Sequence, residues 1–491
     1  MGDVKEFEVE PFAARQARYK AALTEIAALN LGPKNFITDA ATLRKWYSRD
    51  KSSHARAVPV AAVRPDTTEK VATVVKICAK HKVPMTPRGA GTGIEGGCIP
   101  YAGGIVIDTE LLKRLEFDLE NACVWVGAGV RKAALNKAAA KHGFLFGPDP
   151  SSDPFVGGMV ACSGSGMCTL RYGTTRENVL SLRVVTPAGD VLQTRQVVRK
   201  SSAGLELTQL YIGSEGTLGV VCEVCFRLFP IQKYNAGAVC VFDSTTSAVK
   251  AVVAMKEGDV PHTLLRCEMM NKEGVTAANS FSGTHLPEAP MVLLEFVSND
   301  RRRRDLYNDF KKVSAVFKKH GARELRYLKD GKALDSAWES RRNCLFSAMH
   351  SDKAKGLQHV ITTDVCVPIS RLAECVTATE EDFKKEKVPC LICAHISDGN
   401  FHALIPYKSA EDFKRGRALE SRIVTRAVQM GGTVSGEHGV GVGKVHHLVH
   451  EHGKAHIEVQ ERIKKALDPD NIMNPGCFYP IQQVLFRTAH L

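Results

Sequence analysis

Glycine-rich loops recur between residues 87 and 219, and no other feature of this 491-residue chain restricts its fold as strongly. The first loop, Pro87-Arg88-Gly89-Ala90-Gly91-Thr92-Gly93, follows a short run that predicts a strand. Glycine and other small residues let backbone N–H groups approach an anion such as a pyrophosphate. The loop departs from the Rossmann fingerprint, because no long helix begins directly after it. One such loop is weak evidence, since many glycine loops are only tight turns.

Five further stretches rich in glycine or turn residues follow in the same region. They are Pro148-Asp149-Pro150-Ser151-Ser152, Val156-Gly157-Gly158-Met159, Cys162-Ser163-Gly164-Ser165-Gly166, the run from Arg171 to Val179, and Gly213-Ser214-Glu215-Gly216-Thr217-Leu218-Gly219. Their order and spacing resemble the flavin-binding domain of FAD-linked oxidases and dehydrogenases of the vanillyl-alcohol oxidase type. The resemblance covers nearly the whole chain from about residue 55. It implies an α+β fold, in which an FAD-binding domain of two subdomains is joined by an α+β cap domain.

Changes in the sequence pattern divide the chain into four predicted parts. Residues 1–54 form an N-terminal helical segment, and residues 55–230 alternate short apolar runs with helices as the FAD-binding domain. Longer strand–helix units after Phe229-Pro230 predict a cap or substrate domain over residues 231–430. Residues 431–491 form a C-terminal segment, which the resemblance brings back to the flavin site.

The resemblance also implies where FAD binds. Loop 87–93 would hold the pyrophosphate, while residues 148–166 and the strand after Glu215-Gly216 would line the adenosine and isoalloxazine parts. Relatives often carry Asn where this chain has Ser163. No histidine stands in the loops where some members attach flavin, so we expect FAD to bind non-covalently. The expected FAD-binding residues are Pro87, Arg88, Gly89, Ala90, Gly91, Thr92, Gly93, Pro148, Asp149, Gly157, Gly158, Ser163, Gly166, Gly173, Glu215, Gly216, Gly219, Val220 and Asn474.

A second motif, HISDGNFH from His395 to His402, places two histidines at equal distance from an Asp-Gly pair. Asp-Gly between apolar residues predicts a two-residue hairpin turn, which would set His395 directly opposite His402. Side chains so paired lie on one face, with Cβ atoms roughly 5 Å apart. The two imidazoles could then share a metal ion. The alternative is that each histidine only makes a local hydrogen bond in its strand.

A third motif, Gly432-Thr433-Val434-Ser435-Gly436-Glu437-His438-Gly439, supplies what the histidine pair lacks. Glu437 offers an oxygen ligand, and His438 offers an adjacent base. Two histidines and one carboxylate leave positions open for substrate, as in a catalytic metal site. We expect a divalent metal on His395, His402 and Glu437, with Zn²⁺ favoured and Mn, Fe or Co also suited to these ligands.

In the D-2-hydroxyacid dehydrogenase branch of the family, these two motifs carry the metal ligands and the base. Trp338-Glu339-Ser340-Arg341 is similar to a motif of that branch, so Arg341 would bind the substrate carboxylate with its planar guanidinium. A surface cation beside Arg342 is the alternative reading. The run from Thr363 to Leu372 resembles a stretch typical of D-lactate dehydrogenases.

The expected function is FAD-dependent oxidation of D-lactate to pyruvate. His438 would take the hydroxyl proton while the C2 hydride passes to flavin N5, and the electrons would pass to an acceptor other than NAD. Cytochrome c, a quinone, another flavoprotein and oxygen all stay open as acceptors. A relative acting on D-2-hydroxyglutarate or glycolate is the alternative, and alkylglycerone-phosphate synthase is more distant, because its members carry a run of histidines at the Ser435–His438 position.

The net charge and the cysteine content limit which binding partners and which cellular compartment we expect for the protein. The net charge of +13 could indicate a nucleic-acid partner, but the basic residues are spread along the chain, so we expect none. Fifteen cysteines without framework spacing fit a reducing compartment. In the CxxC pairs Cys222/Cys225 and Cys390/Cys393 the two thiols would point to opposite faces of a strand, which argues against a zinc or redox role.

The chain carries no apolar run of the roughly 20 residues needed to span a bilayer. Its last residues, Ala489-His490-Leu491, resemble the S-K-L peroxisomal address, which predicts an import receptor as a partner. The expected location is therefore a peroxisome-like organelle such as a glycosome, or the cytosol. A mitochondrion stays open, although the first 20 residues carry several acids and no clear transit peptide.

Overall fold

The computed structural model of the protein describes residues 12–351 and 356–478. Four β-sheets, accompanied by helices, organise this part of the chain, and the predicted α+β class is confirmed. Residues 1–11 and the tripeptide Ala489-His490-Leu491 lie outside the described residues. Within the described ranges, none of the helices combines the length and the apolar character that a membrane span requires.

The first sheet has four strands. Its region contains α1 (Phe12–Ala27), β1 (Phe36–Ile37), α2 (Ala40–Thr42), β2 (Ala61–Val63), α3 (Thr68–Lys80), β3 (Met85–Arg88) and β4 (Ile105–Asp108). The strand order is β1-β2-β4-β3, with β2, β4 and β3 parallel. Helix α3 starts where the Thr67 hydroxyl accepts the Lys70 N–H, and it buries Val71, Val75 and Cys78 on the sheet side. The loop from Gly89 to Gly93 leaves the end of β3.

The second sheet is antiparallel and has five strands in the order β5-β6-β10-β8-β9. The elements of its region are β5 (Leu115–Asp118), β6 (Cys123–Gly127), α4 (Lys132–Ala140), β7 (Phe144–Leu145), α5 (Val156–Ala161), α6 (Thr169–Tyr172), α7 (Thr175–Asn178), β8 (Val179–Val185), β9 (Val191–Gln193), α8 (Leu207–Tyr211), β10 (Val220–Arg227) and β11 (Phe229–Pro230). Strands β7 and β11 pair separately. Of the remaining glycine-rich stretches, Val156–Met159 forms the start of α5, three others lie before and after that helix, and Gly213–Gly219 precedes β10.

A larger sheet follows residue 231. Its strands are β12 (Tyr234–Phe242), β13 (Leu264–Met270), β14 (Met291–Ser298), β15 (Ala322–Lys329), β16 (His359–Thr362), β17 (Val365–Cys366), β18 (Leu391–His395) and β19 (Asn400–Tyr407). The order is β15-β12-β14-β13-β18-β19-β16, and β17 pairs with β19. The helices are α9 (Thr245–Glu257), α10 (Lys272–Ser282), α11 (Arg304–Lys319), α12 (Lys332–Arg342), α13 (Cys344–Met349), α14 (Ile369–Glu386) and α15 (Ala410–Gln429).

Helices cover both faces of the larger sheet. Strand β14 is buried along its whole length, as its apolar run MVLLEFVS requires of a strand covered on both sides. One face packs with Phe242 and Phe383, and the other with Trp338. Cys390 packs in the apolar cluster of Phe242 and Phe383, and Cys393 packs in the cluster of Trp338 on the opposite face. The prediction that this CxxC pair points to opposite faces is therefore confirmed.

The chain then returns to the first two sheets through α16 (Leu448–His452) and α17 (Lys454–Leu467). Met473 forms a parallel bridge with Met85 of β3. The buried Lys464 ammonium donates to the Thr217 carbonyl, to the Met473 carbonyl and to Asp468. Residues 431–478 therefore contact the loops between residues 85 and 219.

Candidate active site

The hairpin between β18 and β19 carries the two histidines, but its register differs from the prediction. His395 pairs with Asn400, and His402 pairs with Cys393. The loop is Ile396–Gly399 rather than Asp398-Gly399 alone, so the predicted direct pairing of His395 with His402 is wrong by two residues. Gly399 has φ +81° while Asp398 stays outside the left-handed region, whereas a type I′ turn needs positive φ at both positions. The shift is even, so both histidines still share one face.

The two imidazoles converge on one carboxylate oxygen. Nε2 of His395 lies 3.0 Å and Nε2 of His402 lies 3.2 Å from Oε1 of Glu437. The other oxygen of Glu437 accepts the Ser165 hydroxyl at 2.7 Å. The structure thus brings together the three predicted metal ligands, from strands β18 and β19 and from the segment after α15.

Each histidine is oriented through its other nitrogen. His402 Nδ1 donates to the Thr363 carbonyl at 3.1 Å, and His395 Nδ1 donates to the Glu268 carboxylate at 2.8 Å. Such contacts fix the ring and direct Nε2 at the ligand position. Burial alone would lower the pKa of His395, but Glu268 and Glu437 raise that pKa well above its ordinary value.

Asp364 orders the segment that carries Glu437 and His438. Its Oδ2 accepts the backbone N–H groups of Glu437 and His438, at 2.9 and 2.8 Å, and the Ser435 hydroxyl at 2.8 Å. The side chain is fully buried. Lys444 Nζ lies 3.5 Å from the same oxygen, which offsets the cost of burying the charge. Sequence reasoning did not identify Asp364 as a site residue, although it lies within the Thr363–Leu372 run.

His438, the predicted base, lies beside the ligand cluster. Its ring stacks on His402 with centroids 4.9 Å apart, and its Nε2 is 3.8 Å from Glu437 Oε1. Burial lowers the pKa of His438 to about 4, against the opposing effect of Asp364. Its Nδ1 is buried without a hydrogen-bond partner in the described part of the chain. A neutral buried imidazole of this kind can accept a proton.

Arg341, the predicted carboxylate-binding residue, lies at the end of α12 and is only 3% exposed. The alternative reading as a surface cation is therefore excluded. Its Nη2 lies 2.6 Å from Oε2 of Glu268. The pair is not aligned as a hydrogen bond, and Nε and Nη2 of Arg341 have no aligned acceptor among the described residues. A buried guanidinium with unused N–H groups is prepared for an anion.

The residues of this site fit a divalent metal ion. Asp364, His402, Glu437 and His438 each place one ligand atom within 4.8 Å of the others, and His395 joins through Glu437. Ligand atoms around a tetrahedral zinc with bonds of about 2.0–2.1 Å lie roughly 3.3 Å apart. The contacts of 3.0 and 3.2 Å from the two imidazoles to Glu437 match that spacing. Imidazole and carboxylate donors suit Zn, Mn, Fe and Co alike.

The glycine-rich loops also fit a bound flavin nucleotide. A Cβ at Gly158 would meet no atom within 4 Å, and one at Gly89 would meet atoms only at 3.6 Å or more. The backbone N–H groups of residues 90–93 donate to no acceptor in the described ranges. Open space at Gly89 and Gly158, and backbone donors of the first loop without acceptors among the described residues, are what the pyrophosphate prediction requires.

Several predicted FAD-binding residues have other contacts in the structure. Gly157, Gly216 and Gly219 pack closely against Ala128, Pro87 and Val185 respectively, so these glycines serve close packing. The remaining predicted positions are Pro87 and Arg88 at the end of β3, Ala90, Gly91, Thr92 and Gly93 in the first loop, Pro148, Ser163, Gly166 and Gly173 in the later loops, and Val220 at the start of β10.

The polar members of the predicted FAD set join separate parts of the chain. Glu215 accepts the backbone N–H groups of Val440 and Gly441. The Asn474 amide donates to the carbonyls of Gly97 and Glu215. Both residues therefore attach the C-terminal segment to the glycine-rich loops.

Asp149 joins the loops of the second sheet to the larger sheet. Its carboxylate accepts from Lys132 at 2.9 Å and from Arg342 of α12 at 2.5 Å. Arg266 Nη1 lies 3.6 Å away. Burial would raise the pKa of Asp149, but Lys132 and Arg342 lower that pKa to about 2.

Comparison with known families agrees with the fold and the site. The model of the C-terminal domain of FAD linked oxidases matches residues 231–477, half of the chain, and the model of an FAD binding domain matches residues 59–195. The chain therefore belongs to the FAD-linked oxidase family, and it is a flavin-dependent oxidoreductase with an FAD-binding domain. The resemblance read from the glycine-rich loops is confirmed.

Within that family, the most informative relatives are 2-hydroxyacid enzymes. D-lactate dehydrogenase (cytochrome), mitochondrial, of Arabidopsis thaliana is 36% identical over 442 residues, covering 89% of this chain and 76% of the relative. D-lactate dehydrogenase (cytochrome) 1, mitochondrial, of Saccharomyces cerevisiae is 34% identical, covering 84% and 71%. Glycolate oxidase subunit GlcD of Bacillus subtilis is 31% identical, covering 91% and 94%.

Solved structures share the fold at low sequence identity. p-Cresol methylhydroxylase with substrate bound aligns with a TM-score of 0.75 at 18% identity, over 94% of this chain and 96% of that chain. An alkyldihydroxyacetonephosphate synthase aligns with a TM-score of 0.72 at 20% identity, over 96% and 87%. These matches confirm the predicted flavoenzyme fold.

Proposed function

We propose that the protein oxidises D-lactate to pyruvate, with FAD receiving the electrons from the substrate and an acceptor other than NAD receiving them from the flavin. The proposal agrees with the printed names of the Arabidopsis and yeast relatives. It also agrees with the chemistry of the site, which combines a buried cation, a neutral imidazole and a set of metal ligands.

The observation that carries the proposal is that Arg341 is buried with hydrogen-bond donors that lack aligned acceptors in the described part of the chain. The residue is almost fully buried, yet two of its guanidinium nitrogens lack aligned acceptors in the described residues. It is linked through Glu268 to His395, one of the residues that converge on Glu437. A substrate carboxylate on Arg341 would therefore lie close to the imidazole–carboxylate cluster. A 2-hydroxy acid has its carboxylate and hydroxyl on neighbouring atoms, as this arrangement requires.

The residues of the site would each have a separate role in the reaction. FAD, when bound, supplies the acceptor for the C2 hydride. His395, His402 and Glu437 would hold a divalent metal ion, with Zn²⁺ favoured, that supplies a Lewis acid for the 2-hydroxyl. Arg341 would bind and orient the carboxylate, and His438 would take the hydroxyl proton. Asp364 keeps His438 and Glu437 in place through their backbone N–H groups.

The charges around the site favour a substrate with one carboxylate. Lys444 lies 3.0 Å from Glu95 and Arg342 bonds Asp149, whereas Arg341 has an Nε–H without an acceptor among the described residues, in addition to its contact with Glu268. D-2-hydroxyglutarate would need a further cation for its second carboxylate, whereas D-lactate and glycolate would not. Glycolate is the second candidate, because the Bacillus subtilis relative carries that name.

The test is anaerobic reduction of the bound flavin by D-lactate, L-lactate, glycolate and D-2-hydroxyglutarate. We expect D-lactate to bleach the visible flavin spectrum fastest. Arg341→Lys should lower kcat/KM for D-lactate by about 100-fold, because an ammonium cannot make the two parallel contacts of a guanidinium. Arg323→Lys, at an exposed arginine of the same region, is the matched control and should retain the wild-type rate.

Two results would contradict the proposal. One is a flavin that D-lactate does not reduce, and the other is an Arg341→Lys variant that reduces its flavin at the wild-type rate. The metal site has its own test, in which His395→Ala and Glu437→Ala should lose both the metal found by elemental analysis and flavin reduction. If both variants still reduce their flavin at the wild-type rate, the proposed metal site is wrong.

The names of the relatives also bear on the acceptor of electrons from the flavin and on the cellular compartment of the protein. Two relatives carry the word cytochrome in their names, so we propose a cytochrome as the first acceptor to assay, ahead of a quinone, another flavoprotein and oxygen. Both relatives are also named mitochondrial. The expectation of a peroxisome-like organelle finds no support among these relatives.

A further inference from the structure

We propose that Glu268 is a positioning residue that joins the metal-binding half of the site to the carboxylate-binding half. The inference rests on the proposed function, since it assumes that His395 binds a metal and that Arg341 binds the substrate. It assigns a role to a residue that neither the sequence motifs nor the family resemblance indicated.

The strand register places Glu268 at this point. In the pairing of β13 with β18, Met269 faces Ala394 and Met270 faces Cys393, so the next pair outward is Glu268 and His395. Side chains that face each other across a ladder lie on the same side of the sheet. Glu268 is 1% exposed and lies in an otherwise mostly apolar strand.

One oxygen of Glu268 holds the metal ligand. Oε1 accepts Nδ1–H of His395 at 2.8 Å, while Nε2 of the same ring points at Glu437. This contact selects the tautomer in which Nδ1 carries the proton, and it leaves Nε2 for the metal. His402 is oriented in the same manner by the Thr363 carbonyl, which is neutral. Glu268 is thus the charged member of the pair of orienting groups.

The other oxygen of Glu268 holds the carboxylate-binding cation. Oε2 lies 2.6 Å from Nη2 of Arg341, and both side chains are almost completely buried. An isolated buried guanidinium would be costly, so Glu268 compensates the Arg341 charge. Glu268 contacts only Nη2, and Nε of Arg341 has no acceptor among the described residues, so Arg341 keeps an N–H for a second anion. Glu268 holds the cation without using up its donors.

A second buried pair provides the comparison that separates positioning from simple charge compensation. Glu295 of β14 lies opposite Arg266 of β13, and its Oε2 accepts the Arg266 Nε–H at 2.6 Å. Glu295 is 6% exposed and also accepts from Asn235, but it contacts none of the metal ligands. If buried Glu–Arg pairs matter here only for stability, then neutralising either glutamate should have the same effect on the site.

The experiment measures Zn²⁺ affinity on the full-length, FAD-loaded protein after removal of metal, by competition with a chromophoric chelator. Glu268→Ala should weaken Zn²⁺ binding 10–100-fold, the usual cost of losing an orienting carboxylate. Glu268→Gln keeps an acceptor oxygen for His395 and should lose less than about fivefold. Glu295→Gln should keep the wild-type Zn²⁺ affinity, whatever its effect on thermal stability.

Steady-state kinetics test the second contact. Glu268→Gln should raise KM for D-lactate about tenfold with a smaller change in kcat, because the amide NH₂ of the variant would face the Arg341 guanidinium and displace it. Zn²⁺ affinities of Glu268→Ala and wild type within twofold of each other, or an unchanged KM in Glu268→Gln, would overturn the inference. Wild-type protein that binds Zn²⁺ no better than His395→Ala would instead overturn the metal site of the proposed function.

Discussion

At the scale of the residue, the Asp364 carboxylate shows how one buried side chain orders several neighbours. It accepts two backbone N–H groups and one hydroxyl from residues 435–438. Glu215 likewise accepts the backbone N–H groups of Val440 and Gly441. Charged acceptors bond backbone N–H groups more strongly than neutral ones do. The segment that carries Glu437 and His438 is therefore held by two carboxylates from distant parts of the chain.

Asp149 allows a prediction about pH and stability. Its pKa is lowered from an ordinary value of 3.8 to about 2 in the folded protein, and at about 1.4 kcal/mol per unit the ion cluster stabilises the fold by about 2 kcal/mol. A lowered carboxyl pKa gives stability that is complete above about pH 4 and is lost as the pH falls towards 2. Asp149→Asn should therefore lower the free energy of unfolding by about 2 kcal/mol at pH 7, with the difference shrinking below pH 4.

Urea unfolding between pH 7 and pH 3 measures this difference. Asp470→Asn is the control, because Asp470 and Lys82 form an exposed ion pair, and such pairs contribute about 0–1 kcal/mol. A difference between wild type and Asp149→Asn that grows as the pH falls would show that the sign is wrong.

At the scale of the element, the β18–β19 hairpin sets the distance between the two histidines. The loop Ile396–Gly399 is closed by a hydrogen bond from Asp398 N–H to the His395 carbonyl. Ile396 is fully buried in the apolar cluster that also contains Val434 and Val440. Because the Ile396 side chain packs in the core, Ile396 does not pair with a residue of β19. The loop therefore has four residues instead of two.

Gly399 gives the prediction for this hairpin. Its φ is +81°, and a Cβ there would collide with the Val367 carbonyl oxygen. Gly399→Ala should lower the free energy of unfolding by about 3 kcal/mol, from the left-handed backbone together with the clash. Gly283→Ala separates the two causes, since Gly283 has φ +65° with nothing within 4 Å, and it should cost about 1 kcal/mol.

Thermal or urea unfolding of the two variants compares these costs. If Gly399→Ala is no less stable than Gly283→Ala, then the Val367 carbonyl does not restrict the turn.

The sequence predicted which residues would lie together better than it predicted how they are arranged. His395, His402, Glu437 and His438 were recognisable because their motifs are local, and the structure gathers them. The hairpin register was wrong because loop length depends on where Ile396 packs, which no local pattern contains. Glu268 was missed because a single glutamate in a strand carries no motif.

A weaker signal for Glu268 does exist in the sequence. The strand LLRCEMM places Arg266 and Glu268 two residues apart, hence on one face of an otherwise apolar strand. Two charges on the same side of a central strand must be paired to be buried. The pattern indicates buried partners, but it does not say which residues they are.

At the scale of the whole molecule, three regions meet at the site. The larger sheet supplies His395 and His402, and the glycine-rich loops supply Ser165. The segment after α15 supplies Glu437 and His438. Helix α17 anchors this last segment through Lys464, which is buried against the Thr217 carbonyl. Attachment of residues 431–478 is therefore a condition for an ordered site.

Lys464→Met tests that attachment. The substitution removes three hydrogen bonds and leaves Asp468 buried without its cation, so the free energy of unfolding should fall by about 3 kcal/mol. Limited proteolysis should cut residues 431–478 faster in the variant. Lys465→Met changes the exposed neighbouring lysine and should behave as the wild type does. Equal cleavage rates in the two variants would show that Lys464 does not secure the segment.

The attachment of residues 437–441 by Asp364 and Glu215 also has a consequence for the order of synthesis. A ribosome makes the two histidines and Arg341 before it makes Glu437, His438 and the helix that secures them. A chain that ends between residues 402 and 437 contains both imidazoles and Arg341, but it lacks Glu437 and His438. We therefore expect prematurely terminated chains to be unable to turn over substrate, even when their flavin-binding region has folded.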